Sequence, residues 1–376
     1  MRIMVLGVRG LPGVEGGVEK HAELLYPLLT KRGCEVHCLV RRDYVPNEVG
    51  HTWDGVQLIR LWAPNPFLPG LEAFVHSFLG VIWAAFKRPD ILHIHSIGPA
   101  LFSLLGRLFG LRIIVTYHTQ DFDREKWGLI GRAILRLGEF VAIRSSNACI
   151  VISRILQERV NREFKTEAVL IPNGVETAEL VPSGNTLRRF SLVPRKYVLM
   201  VSRLDPGKRH IDLIRAFAES GITDWKLVLV GSLEPQDRYV RQVCDLAQCT
   251  PNVILSGFQS GVALKELYSN AGIFVLPSSH EGLPVALLEA LSYGVPSIAT
   301  DIPANLEVGL PSEHYFPLGD ASLLAAKLRH FASMEFSEEW RNRISLRIRQ
   351  HYDWERISEQ TLQVYSRIMG NKLTSI

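Results

Sequence analysis

Two carboxylates eight positions apart, Glu281 beside a Gly-Leu-Pro turn and Glu289 inside an apolar run, occupy the stretch SSHEGLPVALLEALSYGVP, Ser278 to Pro296. Pro284 suits a first helical position and Gly294 the residue just past a helix end, so the spacing predicts a helix from about Pro284 to Tyr293. Gly282, Leu283 and Val285 then lie at its N-terminus, where unpaired N–H groups and the positive end of the dipole favour an anion. Glu281 precedes that helix. Glu289 lies in its second turn, where a buried carboxylate needs hydrogen-bond donors such as ribose hydroxyls.

Three more stretches offer related chemistry. VSRLDPGKRH sets Arg203 and Lys208 five residues apart across an Asp-Pro-Gly turn, and two cations at a strand's carboxyl end can neutralise a departing diphosphate. GVRGLPGVEGGVEKH carries Gly16 and Gly17 ahead of a helix, where bare backbone lets N–H groups approach a diphosphate. It lacks the Gly-x-Gly-x-x-Gly spacing, which disfavours dinucleotide-dependent hydride transfer. VTYHTQDFDREKWG places His118 at a strand end, followed by Asp121, Asp123, Arg124 and Lys126. Asp121 and Asp123 have no third carboxylate at a recognisable spacing, so no metal is expected. Taken singly, each stretch has a plainer reading as a tight turn, surface charge or a solvated side chain; it is their shared place after apolar strands that argues for a site.

Those strands come in two sets. Ile3–Val8, Val36–Val40, Ile91–His95, Ile113–Thr116 and Ala148–Ile152 alternate with helical patterns, and Tyr197–Val201, Lys226–Val230, Val253–Leu255, Ile273–Leu276 and Ser297–Thr300 repeat the scheme. Alternation of this kind implies parallel sheets covered on both faces. The Pro-, Gly- and Asn-rich stretch from Ile171 to Lys196 reads as a linker with a hinge near Asn173 and Gly174. The expected division is 1–172, 173–350 and an amphipathic terminal helix within 351–376 that could return to the first domain.

Composition narrows the function classes. At 376 residues with net charge +4 and no long basic run, the chain suits two domains and does not suggest a nucleic-acid binder. Its five cysteines lack zinc-ribbon spacing and read as free thiols of a reducing compartment. MRIMVLGVRG enters a strand at once and is no signal peptide, so a cytoplasmic location is expected. The apolar run Phe67 to Phe86 is interrupted by Pro69, Glu72, His76 and Gly80, which fits a core helix or a helix face resting on a bilayer better than a span.

Together these motifs resemble family 4 of the GT-B glycosyltransferases over nearly the whole chain, and GVRGLPGVEGGVEKH with HTQDFDREKWG resembles its bacterial surface-polysaccharide branch. The resemblance implies an α/β GT-B fold of two Rossmann-like domains facing a central cleft. It implies Arg203 and Lys208 on the donor diphosphate, Glu289 on the ribose, and Glu281 on the donor sugar, with Gly282, Leu283, Pro284 and Val285 lining sugar and phosphate. His118 would touch the sugar near the reacting face, Gly16 and Gly17 would lie under the phosphates, and Asp121, Arg124 and Lys126 are acceptor-side candidates. Thr119 and Phe122 depart from that branch's usual glycine and tryptophan. The implied reaction is retaining and needs neither metal nor cofactor. Its partners would be a nucleotide sugar, UDP-linked in the commonest case, and a lipid-linked saccharide met at the inner membrane surface. The alternatives are a nucleotide-sugar epimerase or hydrolase on the same architecture, and a catalytically silent sugar-nucleotide-binding partner.

Overall fold

The computed structural model describes residues 1–14, 16–46, 48–64, 70–119, 128–234 and 237–370. It divides into two compact units, Met1–Gly174 with Trp354–Ile376, and Val175–Asp353.

The first unit begins β1 (Arg2–Leu6), α1 (Gly17–Lys31), β2 (Glu35–Arg41), β3 (Thr52–Trp53), β4 (Val56–Leu61), α2 (Leu71–Lys87) and β5 (Ile91–His95). It continues with α3 (Ser103–Leu108), β6 (Ile113–Tyr117), α4 (Leu129–Ser145), β7 (Ala148–Val151), α5 (Arg154–Phe164) and β8 (Ala168–Leu170). The sheet runs β3-β4-β2-β1-β5-β6-β7-β8, parallel except for the β3–β4 pair. Strand periodicity sorts the core. Ile3 and Val5 join Ala22, Leu25 and Tyr26 of α1 on one face, while Met4 and Leu6 join Val81 and Ala84 of α2 on the other.

The second unit holds α6 (Asn185–Arg189), β9 (Tyr197–Val201), α7 (His210–Ser220), β10 (Lys226–Val230), α8 (Arg238–Cys249), β11 (Val253–Gly257), α9 (Gly261–Asn270) and β12 (Ile273–Leu276). Beyond them lie α10 (Val285–Ser292), β13 (Ser297–Thr300), α11 (Pro303–Leu306), β14 (Tyr315–Phe316), α12 (Ala321–Ser333) and α13 (Glu338–His351). Its all-parallel sheet is ordered β11-β10-β9-β12-β13-β14. Asp237 and Asp320 start α8 and α12 by accepting the amides of Val240 and Leu323, at 2.9 and 2.8 Å.

The chain then re-enters the first unit as α14 (Trp354–Met369), which lays Trp354, Ile357, Val364 and Tyr365 on the core face that α1 also covers. The stretch read as a linker is not structureless: it contains α6. Buried Glu266 of α9 accepts the amides of Gly184, Thr186 and Leu187 at 2.7, 3.2 and 3.0 Å, capping α6 from about eighty residues away.

Candidate active site

In the second unit the sheet order reverses between β9 and β12, which are adjacent and parallel. Ligands of open α/β sheets bind outside the carboxyl ends of strands at such a switch point. The two loops carrying the candidate residues leave the sheet there. After β9, Asp205 accepts the amide of Gly207 at 2.9 Å and holds a tight turn over Pro206–Lys208. After β12, Ser279 donates to the Gly207 carbonyl through its amide at 2.8 Å and its hydroxyl at 3.1 Å. A side chain at Gly207 would lie 2.5 Å from the His280 ring, which would have to move aside to admit it.

The stitching brings Lys208 and Glu281 together. The lysine Nζ donates to Glu281 Oε1 at 2.5 Å, and the two side chains keep 23% and 11% of their exposure. Arg203 is exposed on the same loop. Behind this pair His210 is buried, hydrogen-bonded to Ser202 Oγ at 2.9 Å, and lowered to about 3 by burial first and by the Lys208 charge second. It stays neutral and adds no further cation.

The helix after Glu281 begins one residue later than its proline suggests. Pro284 occupies the cap, α10 runs Val285–Ser292, and the Val285 amide turns back to the Leu283 carbonyl at 2.9 Å. Gly282 is half-buried, Leu283 and Pro284 are buried, and Gly294 takes a left-handed φ of 68° past the helix end. Glu289 is half-buried and receives a hydrogen bond from the Tyr268 hydroxyl at 3.0 Å. Burial first, then the neighbouring Glu289 carboxylate, push the Tyr268 phenol well above its usual value, so it remains a donor. Tyr268 carried no signal in the sequence because it lies on α9, across a strand from its partner.

In the first unit the sheet order reverses between β1 and β5. Gly16 caps α1, and there a side chain would meet Glu19 at 2.0 Å and Arg9 at 2.6 Å. Arg9 Nε pairs with buried Glu19 at 2.9 Å, so this helix start already faces an internal carboxylate. Gly17 is open.

His118 follows β6 and is buried, with its Nε2 2.9 Å from His95 Nδ1. His95 Nε2 makes a short hydrogen bond to the Tyr26 hydroxyl, which lies 3.1 Å from His93 Nδ1. His93 in turn meets Tyr365 at 2.6 Å and Thr116 at 2.7 Å. His21 bonds Asn173 through Nδ1 at 2.7 Å and leaves its buried Nε2 without a partner. Burial drives all four imidazoles down, His21 to about 4, His93 to about 3, and His95 and His118 well below the ordinary value. His118 is therefore a neutral hydrogen-bonding group.

His21, His95 and His118 offer nitrogens within 4.8 Å of one another, the one grouping among the described residues able to hold a metal ion. Two of these rings are spent on each other. Sequence reasoning found His118 but passed over its neighbours, although His93 and His95 at i and i+2 share a strand face. Asp121, Arg124 and Lys126 lie outside the described residues.

A family model described as glycosyl transferases group 1 matches residues 187–351, and one described as Glycosyltransferase Family 4 matches 15–179. The chain belongs to glycosyltransferase family 4. This family 4 chain is 26% identical to the uncharacterized glycosyltransferase MJ1607 of Methanocaldococcus jannaschii, over 97% of its own length and 98% of the relative's. It is also 26% identical, over 58% of itself and 59% of the relative, to an Escherichia coli UDP-Gal:alpha-D-GlcNAc-diphosphoundecaprenol alpha-1,3-galactosyltransferase. Among solved structures it resembles sucrose-phosphate synthase from Thermosynechococcus elongatus, with TM-score 0.84, 21% identity and coverage of 98% and 99%. It resembles Anabaena HepE in complex with UDP and glucose with TM-score 0.78, 17% identity and coverage of 98% and 100%. The fold is GT-B, and the protein is a glycosyltransferase.

Proposed function

We propose that this glycosyltransferase moves a hexosyl or deoxyhexosyl unit from a UDP-sugar to a lipid-linked saccharide in bacterial surface-polysaccharide assembly, with retention at the anomeric carbon and without a metal. The observation that carries this reading is the Lys208–Glu281 pair at the switch point, with Arg203 exposed on the same loop. It sets cations for a diphosphate beside a carboxylate for sugar hydroxyls. The UDP bound to HepE supports the nucleotide, and the diphosphoundecaprenol named for the E. coli relative supports the acceptor class.

In this mechanism Lys208 and Arg203 stabilise charge that develops on the diphosphate as the glycosidic bond breaks, which is electrostatic catalysis of the leaving group. Glu281 orients the sugar and anchors the lysine; Glu289, steadied by Tyr268, accepts from the ribose. The backbone from Gly282 to Val285 lines the sugar, and in the first unit Gly16 and Gly17 offer bare backbone N–H groups suited to an anion. Neutral His118 hydrogen-bonds a sugar hydroxyl. The acceptor hydroxyl attacks the anomeric carbon and passes its proton to the departing phosphate oxygen, so no side-chain base is required. Asp121, Arg124 and Lys126 serve the acceptor.

The test is a panel of nucleotide sugars scored by thermal stabilisation, since a ligand of the folded state alone raises apparent stability. Transfer from the best donor to a lipid-linked saccharide follows, with and without a chelator, and the product anomer is read by NMR. Retained configuration and a chelator-insensitive rate are expected. Donor consumed with no acceptor present would favour the hydrolase or epimerase reading.

A further inference from the structure

The three helices on one face of the first sheet carry large apolar side chains on their outer side as well as their inner one. An ordinary surface helix buries its large apolar side chains and exposes polar ones. Here several inward positions are glycine, beside larger buried residues such as Val81, Leu135 and Ile143: a side chain added at Gly80 of α2 would come within 2.4 Å of Leu6, one at Gly106 of α3 within 2.7 Å of Ile113, and one at Gly138 of α4 within 2.7 Å of the Ile97 carbonyl. Other large side chains point outward. Phe74, Phe78 and Phe86 of α2, Leu108 of α3, and Leu137 and Phe140 of α4 are 42 to 81% exposed. α2 packs on α3 and α3 on α4, so these residues share one layer.

Among the described residues the exposed charges on these helices have one sign. Lys87, Arg88, Arg107, Arg132, Arg136 and Arg144 are exposed there, with Lys87 over the Trp83 ring at 5.2 Å. The acids of these elements are engaged inside the protein. Glu72 pairs with Arg41 at 3.1 Å, buried Glu139 with Arg159 at 3.1 Å, and Asp90 accepts the Arg2 amide at 2.7 Å. Among the described residues no helix is long and apolar enough to cross a membrane.

We propose that the outer layer formed by α2, α3 and α4 rests on an anionic phospholipid surface, aromatic side chains entering the headgroup boundary and the ring of cations meeting lipid phosphates. The choice of occupant follows from the charge: a second copy would bring an equally basic face against this one and be repelled. The inference deepens the lipid-linked-acceptor reading and rests on it for its purpose, since it places the enzyme on the surface where such an acceptor lies.

The test is co-sedimentation of the full chain with phosphatidylcholine vesicles and with vesicles also containing phosphatidylglycerol. Binding is expected only to the second, weakening as salt screens the cations. Phe86→Ser with Leu108→Ser, both highly exposed in the native fold, should lower vesicle binding by at least roughly tenfold, as should Lys87→Glu with Arg132→Glu. Unfolding temperature and stabilisation by the best nucleotide should match the unsubstituted protein. If both pairs of substitutions misfold, the salt dependence of the native chain still decides. No binding to anionic vesicles, binding indifferent to salt, or binding unchanged in well-folded variants overturns the proposal. Sedimentation without lipid that the apolar pair abolishes would overturn it too, by giving the face to a second copy. Vesicle binding with no nucleotide-sugar stabilisation would sink the donor-site reading of Lys208 and Glu281 and leave the lipid surface standing.

Discussion

The two units place their candidate residues alike, at the carboxyl ends of strands beside a reversal of sheet order, yet build opposite electrostatics there. The second unit leaves its groups charged: a lysine and a glutamate in contact, and an arginine in water. The first buries a chain of imidazoles and phenols that burial keeps uncharged. A diphosphate needs the former, because neutralising developing charge requires full charges. A neutral, hydrogen-bonded cluster suits hydroxyl groups, whose orientation matters more than their charge. The same scaffold thus carries two chemistries, full charge in one unit and neutral hydrogen bonding in the other.

Acid should break the comparison most completely. His21 and His76, lowered to about 4 by burial, and His93, lowered to about 3, lie in the first unit with His95 and His118. Their folded-state values lie below the unfolded value near 6.5, so the unfolded chain binds more protons as pH falls. The stability they contribute is present above about pH 6.5 and drains away toward pH 4. The second unit has His210 and His314 shifted the same way. Hydrogen exchange across this window should show the first unit opening before the second; simultaneous opening would remove the contrast.

Removing the central charge comes next. Lys208→Ala should lower kcat by about 10²- to 10³-fold, as loss of one electrostatic stabiliser does elsewhere, and should abolish stabilisation by nucleotide sugar. A near-native rate would sink the diphosphate assignment. Arg203→Ala, an exposed cation, should cost roughly ten- to a hundredfold, the range of a hydrogen bond to a charged group.

The parts legible in the sequence were those fixed by local pattern. Buried strands such as Ile91–His95, Tyr197–Val201 and Ile273–Leu276 fall where their apolar runs place them, because parallel strands covered on both faces are continuous hydrophobic segments. Less regular strands escaped. β4 leaves half its residues partly exposed and follows a tight Asp54-Gly55 turn, and β8 and β14 have three and two residues. In the site, Lys208 and Glu281 could each be singled out, but their contact depends on β9 lying next to β12, which no local pattern encodes. Tyr268 on Glu289 and Arg9 on Glu19 depend on packing too, and there not even Tyr268 or Arg9 could be singled out beforehand.

The smallest expected effect tests one of those long-range pairings. Tyr268→Phe removes one donor from Glu289 and keeps the ring stacked on Tyr293, so nucleotide affinity should fall only about three- to tenfold, near the net worth of one hydrogen bond. Isothermal titration with UDP checks it. A loss as large as that of Lys208→Ala would mean that Tyr268 positions the whole ribose side.

The bridge between Val175 and Asp353 has a consequence for how the gene could be cut. The Val175 amide donates to the Tyr352 carbonyl at 2.8 Å, so the second unit begins and ends at one point. In chain order it is a guest inserted into a host whose last helix is made after the guest is complete. A fragment spanning 175–353 carries its whole sheet and both neighbouring termini. A fragment ending at 174 would lack Trp354, Ile357 and Tyr365 and leave the face that α1 covers incomplete, and in the full chain that face stays incomplete until the final helix is made.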